Sequence, residues 1–213
     1  MQRHYSPLDN MIDRFDHGLR TLFGKPVTTD RAYPAENTPI PKLTKQEQRH
    51  AAGLMRVNHA GEVAAQGLYQ GQGLTARLPE VKEQMREAAI EENDHLDWCA
   101  KRLDELNSHT SVLGPVWYGG SFIIGAVAGA IGDKWSLGFV AETEHQVMAH
   151  LDKHLKKLPQ QDQRSRKIIE QMHTDEAHHA ETAIGAGAAE LPTPIKKVMG
   201  IVSKIMTFSA YRI

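Results

Sequence analysis

The chain has 213 residues and a formal net charge of −1 at pH 7, which suits one well-buried domain and gives no electrostatic sign of a nucleic-acid partner. Its single cysteine excludes a disulfide framework and any four-cysteine iron or zinc site, and no signal peptide is expected because charged residues interrupt residues 1–25 throughout. Few aromatic residues, abundant helix-forming residues and no alternating strand pattern predict an all-α protein.

Residues 1–24 are predicted to form an amphipathic helix that starts at Ser6-Pro7. Its apolar residues recur at helical spacing and are Leu8, Ile12, Phe15, Leu19 and Leu22. Such a stripe ordinarily packs on its own domain, but the Pro-rich linker 26–44 that follows leaves docking on a membrane or a partner as an alternative. We therefore predict a helix and linker over 1–44 and a main domain over 45–213.

The first part of the main domain is predicted to be a helical hairpin. Helical sequence covers 45–77, with Glu62 near its middle, and 79–106, with Glu92 and His95 three residues apart. Pro79 marks the turn between the two helices. The first helix also contains glycines, which indicate close helix contact or room for a substrate beside Glu62: Gly61, Gly67, Gly71 and Gly73.

Residues 106–132 form the longest uncharged stretch, between Glu105 and Asp133. The stretch is long enough to raise the question of a transmembrane helix. However, polar residues, Pro115 and six glycines leave an apolar centre only over 122–131. We interpret it as a crossover between two hairpins, partly helical, that packs across the bundle or dips into one leaflet of a membrane.

A second hairpin is predicted from 134–158, which contains Glu144, and 161–190, which contains Glu176 and His179. Pro159 marks its turn. This hairpin repeats the plan of the first one, with a single glutamate on one helix and a Glu-x-x-His on the other.

Residues 191–213 begin with Leu191-Pro192-Thr193-Pro194 and continue as a predicted basic amphipathic helix. Its cationic residues are Lys196, Lys197 and Lys204, and its apolar stripe is Ile195, Val198, Met199, Val202, Ile205 and Met206. Such a helix suits a membrane surface, although an ordinary closing helix explains the pattern equally well.

The spacing of the acidic residues predicts that the two hairpins bring them to one height. Side chains meet across an antiparallel hairpin when they are equally far from its turn. The midpoint between Glu62 and the Glu92/His95 pair falls near residue 78, and the midpoint between Glu144 and the Glu176/His179 pair falls near residue 161. Both midpoints lie at the predicted turns. At ~1.5 Å per residue each half-site lies roughly 25 Å from its turn. Joining the hairpins gives a four-helix bundle with the ferritin-like pattern of two single glutamates and two Glu-x-x-His pairs. The predicted metal ligands are Glu62, Glu92, His95, Glu144, Glu176 and His179.

The neighbours of these charges argue against solvated helix faces. Apolar residues share each face, and ionised carboxylates buried among them would each cost several kcal/mol unless paired or metal-bound. These neighbours are Met55, Tyr69, Met85, Ala88, Cys99, Leu103, Val147, Leu151, Ile169, Met172, Ala183 and Ala186.

Four carboxylates with one imidazole per ion suit iron or manganese in a site where the ions change oxidation state. Glu92, Glu176 or both are expected to bridge the two ions, with Glu62 and Glu144 each binding one. The spacing alone does not choose among these modes.

Further polar residues are assigned to the surroundings of the site. Ligating imidazoles normally donate their second N–H to an acceptor, and Glu91 and Asp175 are candidates, although either could be a solvated charge. His150 is expected near the site. Five other histidines are assigned to capping or surface positions: His59, His145, His154, His173 and His178.

Four motifs resemble those of the demethoxyubiquinone hydroxylase family of ubiquinone biosynthesis. The most specific is Arg56-Val57-Asn58-His59-Ala60-Gly61-Glu62, in which Asn58 stands where many relatives have aspartate. The others are Glu92-Asn93-Asp94-His95, Glu144 with His150, and Asp175-Glu176-Ala177-His178-His179. The resemblance covers about residues 45–213, and the N-terminal extension resembles that of bacterial members.

The resemblance implies a monooxygenase that uses O2 as co-substrate and two iron ions per subunit, with no catalytic residue beyond the metal ligands. It implies hydroxylation of the ring of 2-polyprenyl-3-methyl-6-methoxy-1,4-benzoquinol, a substrate that resides in the bilayer. It further implies a peripheral location on the cytoplasmic face of the inner (cell) membrane, with partners in a ubiquinone-biosynthesis complex as a possibility.

Two other classes remain open on the pattern alone. A ferritin-like peroxidase, ferroxidase or manganese catalase shares the ligand plan. A non-catalytic quinone-binding scaffold would retain the ions as structural elements.

Overall fold

A computed structural model describes residues 7–213, apart from the side chains of residues 7, 8, 10, 11, 13 and 14. Over this range the chain is helical, without β-strands. Its helices are α1 (Pro7–Phe23), α2 (Lys45–Thr75), α3 (Pro79–Glu105), α4 (Gly114–Ile131), α5 (Asp133–Lys157), α6 (Gln163–Gly185) and α7 (Thr193–Ala210). The all-α prediction is confirmed; Ser6, the predicted start of the first helix, lies outside the described residues.

The two hairpins form where the prolines predict them. A capping box starts α2, because Thr44 Oγ1 accepts from the Glu47 N–H at 3.3 Å while the Glu47 carboxylate accepts from the Thr44 N–H at 2.8 Å. Pro79 begins α3, and the Asp162 side chain caps α6 by accepting from the Ser165 N–H at 3.1 Å. Helices α2, α3, α5 and α6 therefore form the predicted ferritin-like four-helix bundle.

Two apolar clusters fill the inside of the four-helix bundle, and a third, small cluster joins α2 to α7 through Val57, Ala60 and Ala210. One of the two inside the bundle includes Met55, Trp98, Cys99, Leu103, Leu151, Ile169 and Met172. The other includes Tyr69, Met85, Leu137, Val140 and Ala183. Along every bundle helix the predicted ligand lies between a residue of the first cluster and a residue of the second. The polar site is therefore a layer inside the core, at mid-height.

The crossover is largely the helix α4, which packs closely along α2. A Cβ atom built on Gly71 would lie 2.1 Å from the Phe122 carbonyl oxygen, and one built on Gly125 would lie 2.2 Å from that of Leu68. Gly67 and Gly71 therefore permit close helix contact, one of the two roles that the sequence suggested, whereas a Cβ on Gly61 would meet nothing within 4 Å. Within residues 7–213, α4 is the one helix long and apolar enough to cross a membrane, a judgement from length and composition alone.

Replacing Gly71 by alanine should lower the free energy of unfolding by about 1–3 kcal/mol, because α4 must move away from α2 to admit the methyl group. Alanine is itself the better helix former by ~1 kcal/mol, so the loss would be due to packing. Gly119→Ala is the matched control, since a Cβ at Gly119 meets nothing within 4 Å. Urea denaturation measures both; equal stability of the two variants would contradict this account.

The N-terminal region differs from the prediction in one respect. Most of the α1 stripe does not pack on the domain: Ile12 and Phe15 are more than half exposed and Leu19 is 43% exposed, whereas Leu22 is half-buried. The side chain of Leu8 lies outside the described residues. The α1 helix contacts the bundle near Gly18, where a Cβ would lie 2.9 Å from the Tyr118 hydroxyl. The linker, in contrast, lies against the core through buried Ala35 and partly buried Tyr33.

The last bundle helix is shorter than predicted and ends at Gly185 instead of residue 190. Gly187 adopts φ +94°, and the Ala188 N–H donates back to the Ala183 carbonyl at 3.2 Å, which closes the helix end. Ala186 is therefore exposed, and its assignment to the apolar face is wrong.

Candidate metal centre

The six predicted ligands converge in the middle of the bundle, and none of them is more than 7% exposed. Helices α2 and α5 each bring one glutamate, and α3 and α6 each bring a glutamate and a histidine. Four of the residues, Glu62, Glu92, His95 and Glu176, offer ligand atoms that all lie within 4.8 Å of one another.

Glu92 and Glu176 lie between the two imidazoles. Glu92 places Oε2 2.8 Å from His95 Nδ1 and Oε1 3.3 Å from His179 Nδ1. Glu176 places Oε1 3.3 Å from His95 Nδ1 and Oε2 3.3 Å from His179 Nδ1. Each of these carboxylates therefore presents one oxygen to each half of the site, which is the arrangement that two bridging ligands require.

The other two glutamates occupy separate halves of the site. Glu62 Oε2 lies 3.9 Å from His95 Nδ1. Glu144 accepts a short hydrogen bond from the Tyr69 hydroxyl, whose pKa burial and the nearby carboxylates raise. Because Tyr69 retains its proton, it leaves Glu144 one oxygen free to face an ion.

Without a cation, protons have to neutralise the acids of the site. Burial raises the pKa of Glu62 and of Glu144, and the neighbouring carboxylates raise both further. Burial disfavours charged imidazoles too, but the carboxylates outweigh it and raise the pKa of His95, and that of His179 to about 12. The raised pKa values mean that Glu62, Glu144 and both imidazoles hold their protons more tightly, and divalent cations would replace these protons in the loaded site.

Unpaired atoms also fit a metal. Among the described residues, Glu92 Oε2, His95 Nδ1 and Glu176 Oε1 are buried and, although they lie close together, form no hydrogen bond of acceptable geometry. Native proteins rarely leave such atoms unsatisfied. Two carboxylate oxygens and one imidazole nitrogen that face each other are suitable donors for iron or manganese.

The predicted acceptors for the imidazoles are confirmed. His95 Nε2–H donates to Asp175 Oδ2 at 2.9 Å, and His179 Nε2–H donates to Glu91 Oε2 at 2.7 Å. Each acceptor comes from the opposite hairpin, so the two contacts also join α3 to α6. They hold each ring with Nδ1 facing the carboxylates.

The histidines beyond the site follow the prediction only in part. His150 borders the cavity described below, and His145 and His178 are exposed. The surface assignment of His154 is wrong, because it is 4% exposed and its Nδ1 lies 2.8 Å from Asn58 Oδ1. It lies three residues after Leu151, which shares the face of Glu144, and this spacing from a buried residue could have identified it.

The burial of His154 predicts a loss of stability in acid. Burial and, to a smaller extent, the positive charges near it together lower its pKa to about 3. Between its ordinary pKa of ~6.5 and about 3, the unfolded chain binds a proton that the folded chain does not. Its stabilising contribution is therefore complete above pH ~6.5 and is lost as pH falls, at about 1 kcal/mol per unit.

His154→Gln should remove the part of the pH dependence of stability that is due to His154. Urea denaturation of the metal-loaded wild type and variant at pH 7 and pH 5 measures it. The wild type is expected to lose more stability than the variant over this interval, since the other titrating groups are common to both. Parallel losses would contradict the assignment of His154 as a buried neutral imidazole.

A cavity of about 330 Å³ leads from the site to the surface between α2, α4, α5 and α7. Glu62, Glu144 and Glu176 lie at its inner end. Its wall is mostly apolar and includes Leu68, Trp117, Ile124, Phe139, Val198 and Val202. Its outer rim comes from α4 and α7, whose apolar residues remain exposed there, among them Ile124, Val198 and Val202.

Several residues of the site were missed by sequence reasoning. Tyr69 was counted only as an apolar neighbour, although it binds Glu144. Arg31, in the linker, has Nη2 2.6 Å from Asp175 Oδ2 and was not considered. Asn93 and Asp94 are both buried and contact the linker, and their polarity at buried helix positions was the available signal.

A four-helix bundle that buries two single glutamates and two Glu-x-x-His pairs defines the ferritin-like carboxylate proteins, a class that holds two metal ions between facing helices. Sequence similarity to known proteins identifies the family. The model of the family described as ubiquinone biosynthesis protein COQ7 matches residues 40–210, and the chain belongs to this family.

Similar proteins cover nearly the whole chain. Proteins named 3-demethoxyubiquinol 3-hydroxylase are 59% identical in Nitrosococcus oceani, over 98% of both chains, and 57% identical in Acinetobacter baumannii, over 98% of this chain and 99% of the relative. That of Pseudomonas fluorescens is 55% identical over 100% of this chain and 99% of its own.

Proposed function

We propose that the protein is a di-iron, O2-dependent monooxygenase that hydroxylates the ring of 2-polyprenyl-3-methyl-6-methoxy-1,4-benzoquinol, or demethoxyubiquinol. The observation that carries the proposal is the apolar cavity whose inner end is formed by Glu62, Glu144 and Glu176. A quinol ring that entered this cavity would stop beside the metal ligands. The printed name of the close relatives supports this reaction and substrate.

Two iron ions per subunit would be held by Glu62, Glu92, His95, Glu144, Glu176 and His179, and Glu92 and Glu176 each present one oxygen to each imidazole. When bound, the di-iron centre supplies the reducing electrons for O2 activation. The protein fixes the imidazole rings through Asp175 and Glu91, and it excludes water by the two apolar clusters above and below the layer.

The quinol would be oriented by polar groups in the apolar wall. His150 Nε2 is buried without a partner among the described residues, and burial lowers the pKa of His150 to about 4, so its ring is neutral at pH 7. A neutral imidazole can hydrogen-bond an oxygen of the quinol head group. The polyprenyl tail would then follow the apolar wall toward α4 and α7.

The proposed location is the cytoplasmic face of the inner (cell) membrane, with peripheral contact. Support comes from exposed apolar residues on the helices that border the cavity, including Val116, Ile123 and Val127 of α4 and Ile201, Ile205 and Phe208 of α7. We assign the site and this surface to the domain over 45–213, with the helix and linker over 1–44 attached to it. Partners within a ubiquinone-biosynthesis complex are a further part of the proposal.

Replacing both Ile201 and Ile205 by glutamate should lower the partition of the protein onto liposomes by about 100-fold, because each isoleucine contributes at least ~1.5 kcal/mol when buried in the bilayer. Both side chains are 58% exposed, so the fold should tolerate the change. Ile40→Glu is the control, since Ile40 is 74% exposed on the linker. Flotation measures the partition; unchanged binding of the double variant would move the contact to α4.

The reaction itself is tested with iron-loaded protein in vesicles that contain demethoxyubiquinol, O2 and a reductant. The expected product carries one added oxygen from ¹⁸O2, and neither metal-free protein nor vesicles without O2 form it. Decomposition of hydrogen peroxide, or iron oxidation without quinol hydroxylation, would support a peroxidase, ferroxidase or manganese catalase instead. Quinol binding without turnover would support a scaffold.

A further inference from the structure

The linker residues 27–31, here called the strap, lie along α3 directly behind the site. Asn93 Nδ2 donates to the Val27 carbonyl at 2.9 Å. The N–H and the hydroxyl of Thr29 donate to the two carboxylate oxygens of Asp94 at 2.8 and 2.5 Å. Asn93 and Asp94 are the two residues between Glu92 and His95, so the strap is bound to the same helical turn that carries two of the proposed ligands.

The strap ends in an arginine that reaches the site indirectly. Arg31 Nη2 lies 2.6 Å from Asp175 Oδ2, the same oxygen that accepts from His95 Nε2 at 2.9 Å. The Arg31 guanidinium also lies 4.8 Å from the Trp98 ring, which in turn lies 5.3 Å from the His95 ring. Arg31 thus contacts both the acceptor of His95 and the aromatic ring packed beside it.

The two imidazoles are supported unequally. Asp175 is 14% exposed and is held by Arg31 and by Gln171 Nε2, at 2.9 Å from its second oxygen. Glu91 is 43% exposed, and over the described part of the chain its one hydrogen-bond or ion-pair partner is His179. An exposed carboxylate with a single partner is free to change rotamer, whereas Asp175 is held in place from two sides.

We infer that Arg31 is a positioning residue for the His95 half of the metal site, an inference that rests on the proposed di-iron function. Its charge and planar guanidinium fix the Asp175 carboxylate. Asp175 in turn fixes the tautomer and orientation of the His95 ring, on which the metal affinity of that half depends. The strap anchors at Asn93 and Asp94 hold Arg31 in reach, so the N-terminal linker is a structural part of the site.

The inference is tested by titrating metal-free protein with Co(II), whose visible absorption reports each ion bound. Outer partners of ligating histidines typically change metal affinity by 10- to 100-fold, and for Arg31→Met we expect about a 10-fold weaker binding of one of two Co(II) ions. Arg31→Lys, which keeps the charge, should recover part of the loss. Lys25→Met removes an exposed linker cation with no contact to the site and should bind both ions as the wild type does.

Proton NMR of the Co(II)-loaded protein separates positioning from general loosening. Each imidazole Nε2–H gives an exchangeable, metal-shifted signal, and the Asp175→Asn and Glu91→Gln variants assign the two. In Arg31→Met, the His95 signal should shift and exchange faster with solvent, while that of His179 stays unchanged. Thr29→Val, which weakens the strap without altering Arg31, should change the His95 signal in the same direction. It replaces Arg31→Met in the test if Arg31→Met does not fold.

Two outcomes would contradict the inference about Arg31, and only one of them would also contradict the proposed function. A wild type that binds fewer than two Co(II) ions per chain would overturn the di-iron proposal and the inference with it. Two ions in the wild type, with unchanged affinity and an unchanged His95 signal in Arg31→Met, would overturn the inference alone.

Discussion

Glu176→Gln is expected to abolish hydroxylation, with a fall in rate of at least about 100-fold, and to leave the protein with less than one iron per chain after buffer exchange. The two oxygens of Glu176 lie 3.3 Å from the Nδ1 atoms of His95 and His179, so one substitution removes a charged ligand from both halves of the site. Outer partners alone change affinity by 10- to 100-fold, and loss of a direct ligand should exceed that.

In the metal-free protein the same substitution should lower the free energy of unfolding, by about 1–3 kcal/mol, because it removes a buried carboxylate that lies 3.3 Å from both imidazoles, whose raised pKa values favour their charged forms. A loss of iron far larger than the change in stability of the metal-free protein can explain distinguishes a ligand from a structural residue. Iron content, product formation and urea denaturation of the metal-free protein measure the three quantities.

Glu181→Gln is the matched control, because Glu181 is exposed on the same helix and loses the same charge. Its iron content and turnover should equal those of the wild type. Full iron content and normal turnover of Glu176→Gln would contradict the ligand assignment and, with it, the proposed reaction mechanism.

Asp162→Ala is expected to lower the free energy of unfolding by about 3–5 kcal/mol, the largest effect on stability that we predict. Asp162 is fully buried and accepts from Arg102 Nη2 at 2.8 Å, and Arg102 is itself 1% exposed. The substitution leaves a buried guanidinium with fewer partners and also removes the cap of α6. Urea denaturation of the metal-free proteins measures the loss without a contribution from bound iron.

Two further variants test whether the cost arises from the unpaired charge. Asp104→Ala removes an exposed carboxylate from α3 and should change stability by less than ~0.5 kcal/mol. The double variant Arg102→Met, Asp162→Leu removes both charges and should recover most of the loss. If the double variant is as unstable as Asp162→Ala, the capping hydrogen bonds rather than the ion pair carry the effect.

The bundle and the six site residues could be predicted because their signals are local and periodic. Pro79 and Pro159 set the turns, and equal distances from each turn set the height at which Glu62 meets Glu92 and Glu144 meets Glu176. Each hairpin sets this register by itself, independently of the other hairpin. The Glu-x-x-His spacing then fixes the direction of each histidine relative to its glutamate.

The strap could not be predicted, because its contacts join distant parts of the chain without a periodic signal. Arg31 meets Asp175 across 144 positions, and Thr29 meets Asp94 across 65. In a Pro-rich segment neither helical nor strand spacing indicates which residues face the bundle. The stripe of α1 is the opposite case, a periodic signal whose contact could not be predicted. Its amphipathic pattern predicts an apolar face but does not identify what covers that face.

The acidic layer between the two apolar clusters inside the bundle affects the abundance of the protein in the cell. Without iron, the two clusters inside the bundle are separated by a layer of buried acids and imidazoles, and burying such groups costs free energy. A ligand that binds only the folded chain raises its stability in proportion to its supply. On the proposed function, scarcity of iron would therefore reduce not only the turnover of each molecule but also the number of molecules that escape proteolysis.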